Sequence, residues 1–364
     1  MIKTTPSSKP IAIWLLTGVG MITIQIILGG ITRLTGSGLS ITEWEVITGT
    51  LPPLNEQSWV VEFQKYQQTP QYRLLNTDFK LADFKFIFFW EWLHRFWARL
   101  IGIIFLIPFI IFLIQRRFRA DMIGPLIILF LLGALQGAVG WLMVKSGLNG
   151  DAIYVKPTRL ALHFIFAMGL LCYTFWFALK LLVKEKDIIP ASSLKKFTGW
   201  IIALMTVQLM FGALMAGHKA APAAPTWPDI NGNFIPLYVF NRPEGLRSLI
   251  ENAVVIHFVH RMLAYLLVLI IIIWSIKAFR KNSSALFAQV RILPLVFVLL
   301  QLILGIFTVL TSVNIRATRW NTFEWMAQLH QVVALLLLLS LVFVLSLQRK
   351  RFVKQTNSID APVI

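Results

Sequence analysis

Long apolar runs alternate with short polar breaks along this chain, and the runs set its architecture. Eight of them, near 11–32, 90–114, 122–144, 159–182, 197–216, 252–276, 290–312 and 325–347, approach or exceed the roughly 20 residues a helix needs to cross a bilayer. None shows the period-two alternation of a membrane strand, so each run is read as helix. The pattern predicts an all-α integral membrane protein with eight transmembrane helices.

Composition strengthens that reading. Hydrophobic residues make up 57% of the 364 and charged residues only 14%, which excludes an ordinary soluble domain. If the helices alternate in direction, one side collects Lys3, Lys9, Arg116, Arg117, Arg119, Lys180, Lys184, Lys186, Lys195, Lys196, Lys277, Arg280, Lys281, Arg291, Arg349, Lys350, Arg351 and Lys354. The positive-inside rule then places both termini in the cytoplasm. The net charge of +18 reports this topology and attraction to anionic lipid; no motif for reading nucleic acid accompanies it. Residues 1–10 lack an Arg-rich amphipathic transit sequence, which points to a bacterial inner membrane. A single cysteine, Cys172, excludes an intramolecular disulfide and reads as an apolar thiol.

Polar residues inside the runs recur in register. Gln-x-x-x-Gly appears in every odd-numbered run, as Gln25 and Gly29, Gln136 and Gly140, Gln208 and Gly212, Gln301 and Gly305. Glutamine offers an intramembrane hydrogen-bonding group and glycine admits a close neighbour, either another helix or a flat ligand. Every even-numbered run carries a histidine: His94, His163, His260 and His330. The interval from His94 to His163 nearly equals that from His260 to His330. The chain therefore reads as two parallel-repeat four-helix bundles, 1–185 and 195–350, joined by a charged linker. Two outer loops are long, 33–89 and 217–250, and place the chemistry on the outer, periplasmic side.

Two imidazoles at similar depth in a four-helix bundle suit six-coordinate haem. A zinc site calls for a denser ligand cluster, whereas a proton relay through the histidines stays open. His94, His163, His260 and His330 are accordingly candidate axial ligands. Arg95, Arg99 and Arg261 are candidates for propionate pairing or for snorkelling to the interface. His257, one turn from His260, reads as a pocket-wall or hydrogen-bonding residue, and His218 as an interfacial one. Only the first bundle has an acid beside its histidine, Glu91, three residues before His94 on the same helix face. That acid either serves proton transfer in a catalytic first site or pairs with Arg95 one turn on. The second bundle would then hold a resident redox haem.

Several stretches resemble haem A synthase, in the longer form of mitochondria and many Gram-negative bacteria. They are Gly29-Gly30-Ile31-Thr32-Arg33-Leu34-Thr35-Gly36-Ser37-Gly38-Leu39-Ser40, Gly49-Thr50-Leu51-Pro52-Pro53-Leu54-Asn55, Phe63-Gln64-Lys65-Tyr66-Gln67-Gln68-Thr69-Pro70-Gln71-Tyr72 and Trp90-Glu91-Trp92-Leu93-His94-Arg95. The likeness continues through His163, Glu251-Asn252, His260-Arg261 and His330-Gln331. It implies an oxidoreductase that converts haem O to haem A for terminal oxidases, oxidising a porphyrin methyl to a formyl group through successive hydroxylations. By this resemblance His94 and His163 bracket the substrate haem, His260 and His330 ligate a haem b cofactor, and Glu91 is the essential acid. Oxygen comes from O2 or water and electrons from an external donor. A haem O synthase, oxidase assembly factors and a second copy of the chain are candidate partners. The cysteine pair of the shorter form is missing from the first loop, so no mechanism through those thiols operates here. The competing readings are a membrane dihaem cytochrome b and a repeat-built transporter with histidine proton relays.

Overall fold

A computed structural model describes residues 8–43, 51–236, 245–281, 283–314 and 320–349. Lys3, Lys350, Arg351 and Lys354 of the basic set, and Trp44, Gly49 and Thr50 of the first outer loop, lie outside them. The described residues form α-helices, joined by short 3-10 turns, with no strand among them. In order they are α1 (Lys9–Leu34), α2 (Glu56–Gln67), α3 (Pro70–Leu75), α4 (Leu81–Ile114), α5 (Ala120–Lys145) and α6 (Pro157–Leu182). They continue with α7 (Ser192–Gly217), α8 (Ser248–Glu251), α9 (Ala253–Phe279), α10 (Ala285–Val290), α11 (Leu293–Thr311) and α12 (Thr322–Leu347). Eight stretches are long and apolar enough to cross a membrane: α1, α4, α5, α6, α7, α9, α12 and the α10–α11 stretch Ala285–Thr311.

Two boundaries differ from the apolar pattern, each for a local reason. The second span begins nine residues early, at Leu81, because Asp83 accepts from the Lys80 N–H at 2.9 Å and satisfies an otherwise open helix start. The extra turns carry Phe84, Ile87 and Phe88, all buried, under the first outer loop. The seventh span is broken near Arg291 and Ile292, where Pro294 starts α11 and removes a backbone donor.

Helices α1, α6, α7 and α12 make the centre. Helix α4 packs on α1, α5 on α6, α9 on α7, and α11 on α12. In addition α9 packs closely on α11, whereas α4 and α5 approach less closely and meet through long side chains such as Phe105 and Phe130, whose rings stack at 6.5 Å. The largest core cluster joins residues of both chain halves, among them Leu171, Ile201, Ile271, Trp274 and Leu341. Lipid removes the hydrophobic drive between such helices, so close packing and hydrogen bonds hold them together. Gln331 Nε2 donates to the Ile26 carbonyl at 2.8 Å and Gln328 Nε2 to that of Ile27 at 3.3 Å. At one end of the bundle Trp274 Nε1 donates to Thr198 Oγ1, 2.8 Å, and Thr198 Oγ1 to Gln348 Oε1, 2.9 Å. At the other, the Arg33 guanidinium donates to the carbonyls of Ala216 and Gly217, closing the end of α7.

The first outer loop is a packed helical cap. Tyr66, Phe84, Ile87 and Phe88 form its buried centre, with Trp59, Phe63 and Tyr72 around them. The Tyr66 hydroxyl donates to Gln71 Oε1 at 3.1 Å and accepts from Asn76 Nδ2 at 2.7 Å. Burial pushes this phenol up to about 12.

Where α7 ends against the start of α6, Gly217 lies on Pro157, and a Cβ there would meet the proline Cα at 2.8 Å. Neither backbone nor pyrrolidine ring can swing aside. Gly217→Ala should therefore destabilise the bundle by about 1–3 kcal/mol through overpacking. Gly20→Ala, whose Cβ meets nothing within 4 Å, should be neutral or stabilising by up to about 1 kcal/mol. Thermal unfolding of the two variants in detergent checks the contrast; equal midpoints would mean that the α6–α7 joint is looser than described.

Candidate functional site

Glutamine and glycine four residues apart share one face of a helix, and in all four cases that face seats an imidazole. Gln25 and Gly29 on α1 meet His94 of α4. Gln136 and Gly140 on α5 meet His163 of α6. Gln208 and Gly212 on α7 meet His260 of α9, and Gln301 and Gly305 on α11 meet His330 of α12. A Cβ on the glycine would stand 3.2, 2.9, 3.3 and 3.0 Å from the respective Cε1 atoms. The ring thus occupies the space a side chain would fill. The glutamine closes the seat from one turn away. Gln25 Nε2 lies 3.3 and 3.1 Å from the two ring nitrogens of His94 and donates to its backbone carbonyl at 3.1 Å. Gln136 treats His163 alike, at 3.2, 3.4 and 3.1 Å. Gln208 and Gln301 reach only the ring, with Nε2 to Nε2 distances of 3.4 and 3.1 Å.

The seats bring the histidines together two by two. His260 and His330 face each other with ring centres 6.4 Å apart and planes at 71°. Imidazoles bonded at roughly 2 Å to opposite sides of one metal have centres about 6 Å apart, so this pair fits a single haem iron. His94 and His163 occupy the matching seats of the first half. All four rings are half-buried. The Oε1 atoms of Gln25, Gln136, Gln208 and Gln301 are buried without a hydrogen-bond partner, as are His260 Nδ1 and His330 Nδ1. Each such group costs about 1–3 kcal/mol while it stays unsatisfied, which marks these interiors as built for something polar or metallic. Among the described residues no group of three or more His, Cys, Asp or Glu could hold a metal ion by itself.

Glu91 is 3% exposed and fully engaged. Its Oε2 accepts from Ser40 N at 2.7 Å, Ser40 Oγ at 2.7 Å and Ile41 N at 3.0 Å. Its Oε1 takes the Arg95 guanidinium at 2.5 Å. Arg95 also donates to the carbonyls of Ile41 and Glu43, both at 3.1 Å. The pairing with Arg95 one turn on is therefore present, and together the two side chains fasten the first outer loop to α4. Nothing in the sequence pattern pointed to Ser40 and Ile41 as the other half of this contact.

Arg261 has the matching task in the second loop. It donates to the carbonyls of Asp229, Ala224 and Thr226 at 2.8, 2.9 and 2.8 Å, and that loop is braced further by Asp229 Oδ1, which accepts from Thr226 Oγ1 and Gly232 N. Those two contacts hold the Asp229 carboxyl below its usual range. The two terminal nitrogens of Arg261 are thus committed to the loop, a contact that propionate pairing would have to share. His257 is 1% exposed, and neither of its ring nitrogens has a partner among the described residues. His218 is hydrogen-bonded to the Ile250 carbonyl at 2.7 Å and ties the second loop down. Arg99 is half-buried on α4.

A bundle of eight membrane-length helices with paired, cradled imidazoles defines a polytopic membrane protein whose centre is built around histidine. The sequence profile of the COX15-CtaA family, described as cytochrome oxidase assembly protein, matches residues 12–342, and the chain belongs to this family. A protein named heme A synthase from Flavobacterium johnsoniae is 37% identical over 344 residues, covering 93% of this chain and 97% of its own length. A heme A synthase from Cereibacter sphaeroides is 39% identical over 90% of this chain and 85% of its own. One from Parvibaculum lavamentivorans is 42% identical over 78% and 81%.

The Glu91 contacts make a prediction about the loop. Arg95→Leu leaves a buried carboxylate short of its cation, a change that typically costs about 3–5 kcal/mol. It should speed proteolytic nicking of the first outer loop while leaving the second unchanged. Arg261→Leu should do the reverse. Limited proteolysis of the two variants, with fragments mapped by mass, tests the pairing of arginine with loop.

Proposed function

We propose that this chain converts haem O to haem A, oxidising a porphyrin methyl to a formyl group for terminal oxidase biogenesis. The observation that carries the reading is the set of four cradled imidazoles, paired two by two within a member of the cytochrome oxidase assembly family. The halves 1–185 and 195–350 act as parallel repeats, supported by the recurrence of the same Gln, Gly and His seat in each. His94 and His163 hold the substrate haem, and His260 and His330 hold a resident haem b. A bound haem b supplies one-electron transfer to the reaction.

The division of labour rests on two differences. Only the first half places an acid, Glu91, one turn from its histidine. In that half the two flanking helices, α4 and α5, approach one another less closely than α9 and α11 and meet through long side chains such as Phe105 and Phe130. That wider spacing is the proposed lateral way by which a substrate enters from the bilayer and leaves. Glu91 is the proposed proton-handling residue: its 2.7 Å contact with the Ser40 hydroxyl is short enough to pass a proton, and the loop it fastens shields the site from bulk water. Arg95 and Arg261 keep the two loops closed over their sites and are the proposed partners of the haem propionates at the loop edge.

The helix directions follow the positive-inside rule, with both termini cytoplasmic in a bacterial inner membrane and the haem sites towards the periplasm. Electrons come from an external donor and oxygen from O2 or water. A haem O synthase, oxidase assembly factors and a second copy of the chain are the proposed neighbours.

Co-expression with a haem O source in a host lacking haem A, followed by pigment chromatography, tests the function. Wild type should yield haem A or its hydroxylated precursor. Glu91→Ala should lose most turnover while retaining bound haem, and His260→Ala should lose haem b. Haem b retained with no modified pigment, given ample haem O and electrons, identifies a dihaem electron-transfer cytochrome instead. Normal haem A from Glu91→Ala removes the acid from the mechanism.

A further inference from the structure

The two chain halves are joined at the basic end of the bundle, and the joint borders two clefts remote from the imidazole seats. It runs from Val183 to Ala191 and includes a 3-10 turn, Glu185–Asp187. Three hydrogen bonds pin it. Ser284 Oγ, just before α10, donates to the Asp187 carbonyl at 2.8 Å. The Ile189 N–H donates to the Leu347 carbonyl at the end of α12, 2.8 Å, and the Arg349 guanidinium to the Val183 carbonyl, 3.1 Å. The protein's own bonds thus fix the wall that separates the clefts.

The two clefts differ in chemistry. One, of about 490 Å³, is bordered by Lys186, Lys281, Ser283 and Ser284, with no carboxylate among its described lining residues. The other, of about 450 Å³, is lined by Leu179, Leu182, Leu286 and Phe343, together with Lys184 and Asp187. Lys186 borders both, and Glu185 lines neither. Among the described residues Lys184, Lys186 and Lys281 form no ion pair. Leu179 and Leu182 lie in the last turn of the span α6, and Leu182 is exposed. The apolar cleft therefore sits where a bilayer's acyl chains meet its headgroups.

A ligand that fills both clefts is anionic at one end and apolar at the other. A free phosphate meets only the first demand and an uncharged lipid only the second. We propose that the joint binds one anionic phospholipid, its phosphate between Lys186 and Lys281 and one acyl chain against Leu179, Leu182, Leu286 and Phe343. Lysine ammonium groups attract phosphate as point charges, and basic pockets between spans take up such headgroups. Leu179 and Leu182 belong to the first half and Lys281, Leu286 and Phe343 to the second, so the lipid braces one half against the other. This inference is independent of the haem reading.

The test uses the full-length protein, purified in detergent and stripped of lipid, and reads retained lipid by native mass spectrometry and the thermal unfolding midpoint. Four probes are added separately at equal concentration: phosphatidylglycerol, phosphatidylcholine, glycerophosphoglycerol (the first headgroup without chains) and inorganic phosphate. Wild type should retain one phosphatidylglycerol and gain in midpoint with that probe alone. Lys186→Gln combined with Lys281→Gln should bind phosphatidylglycerol about tenfold or more weakly and lose the gain. Lys195→Gln combined with Lys196→Gln removes the same charge from exposed residues that line neither cleft, and should behave as wild type. Equal losses in the two double variants would mean general attraction to a basic rim and overturn the proposal. An equal gain from phosphatidylcholine would overturn headgroup recognition, and an equal gain from either chainless probe would reduce the site to one for a free anion. A wild-type protein that responds to none of the four probes has no such site.

Discussion

Inside a bilayer every polar group must find its partner within the protein, and this bundle depends on that constraint at four places. An imidazole in hydrocarbon is costly, and each one here is set into a notch cut by a glycine and closed by a glutamine. The notch works in both directions. It gives the ring neighbours of the right shape and polarity, and it fixes how closely one helix crosses the next, because the ring reaches the partner backbone where a Cβ would stand 2.9–3.3 Å from its Cε1. Helix pairing and imidazole placement are one requirement here.

The arginine that follows His94, and the one that follows His260, gain meaning from the same geometry. Successive residues on a helix do not share a face. If the histidine points into the bundle, its successor points around the side towards the incoming loop. Arg95 accordingly reaches Ile41 and Glu43, and Arg261 reaches Ala224, Thr226 and Asp229. A His-Arg pair is thus a seated imidazole and a loop clasp one residue apart, and the loop beside each imidazole is linked to the helix that supplies it. Glu91 adds a second fastening in the first half alone, where Ser40 and Ile41 offer three donors to one carboxylate oxygen.

Much of this was legible in the residues. Apolar run length is a direct consequence of bilayer thickness, so all eight spans could be read, and spacing placed the four histidines in matched positions. What the pattern could not show was which side chains would meet across helices. Gln-x-x-x-Gly was visible as a repeated polar and small pair, but period alone cannot tell whether that face meets a helix, a ligand or, as here, a histidine. The early start of α4 escaped because the turns from Leu81 to Phe89 are anchored by a capping aspartate and a buried aromatic cluster, not by membrane hydropathy. The Glu91 contacts escaped because Ser40 and Ile41 belong to a loop that sequence reading leaves without coordinates.

The two sites are not mechanically independent. Gly29 and Gly30 are adjacent on α1 and serve opposite neighbours. Gly29 seats His94, while a Cβ on Gly30 would stand 2.5 Å from Gln328 Oε1 and 2.7 Å from Gln331 Oε1. Gln331 is the residue after His330, and it donates to the carbonyl of Ile26, the residue after Gln25. One turn of α1 therefore bears on an imidazole of the first half and on the helix turn that carries an imidazole of the second. Close-packed interiors transmit strain, so the packing of α1 against His94 and its packing against α12 beside His330 are set by the same turn. The glycine pair makes both approaches close, and the two glutamine–carbonyl bonds fix their register.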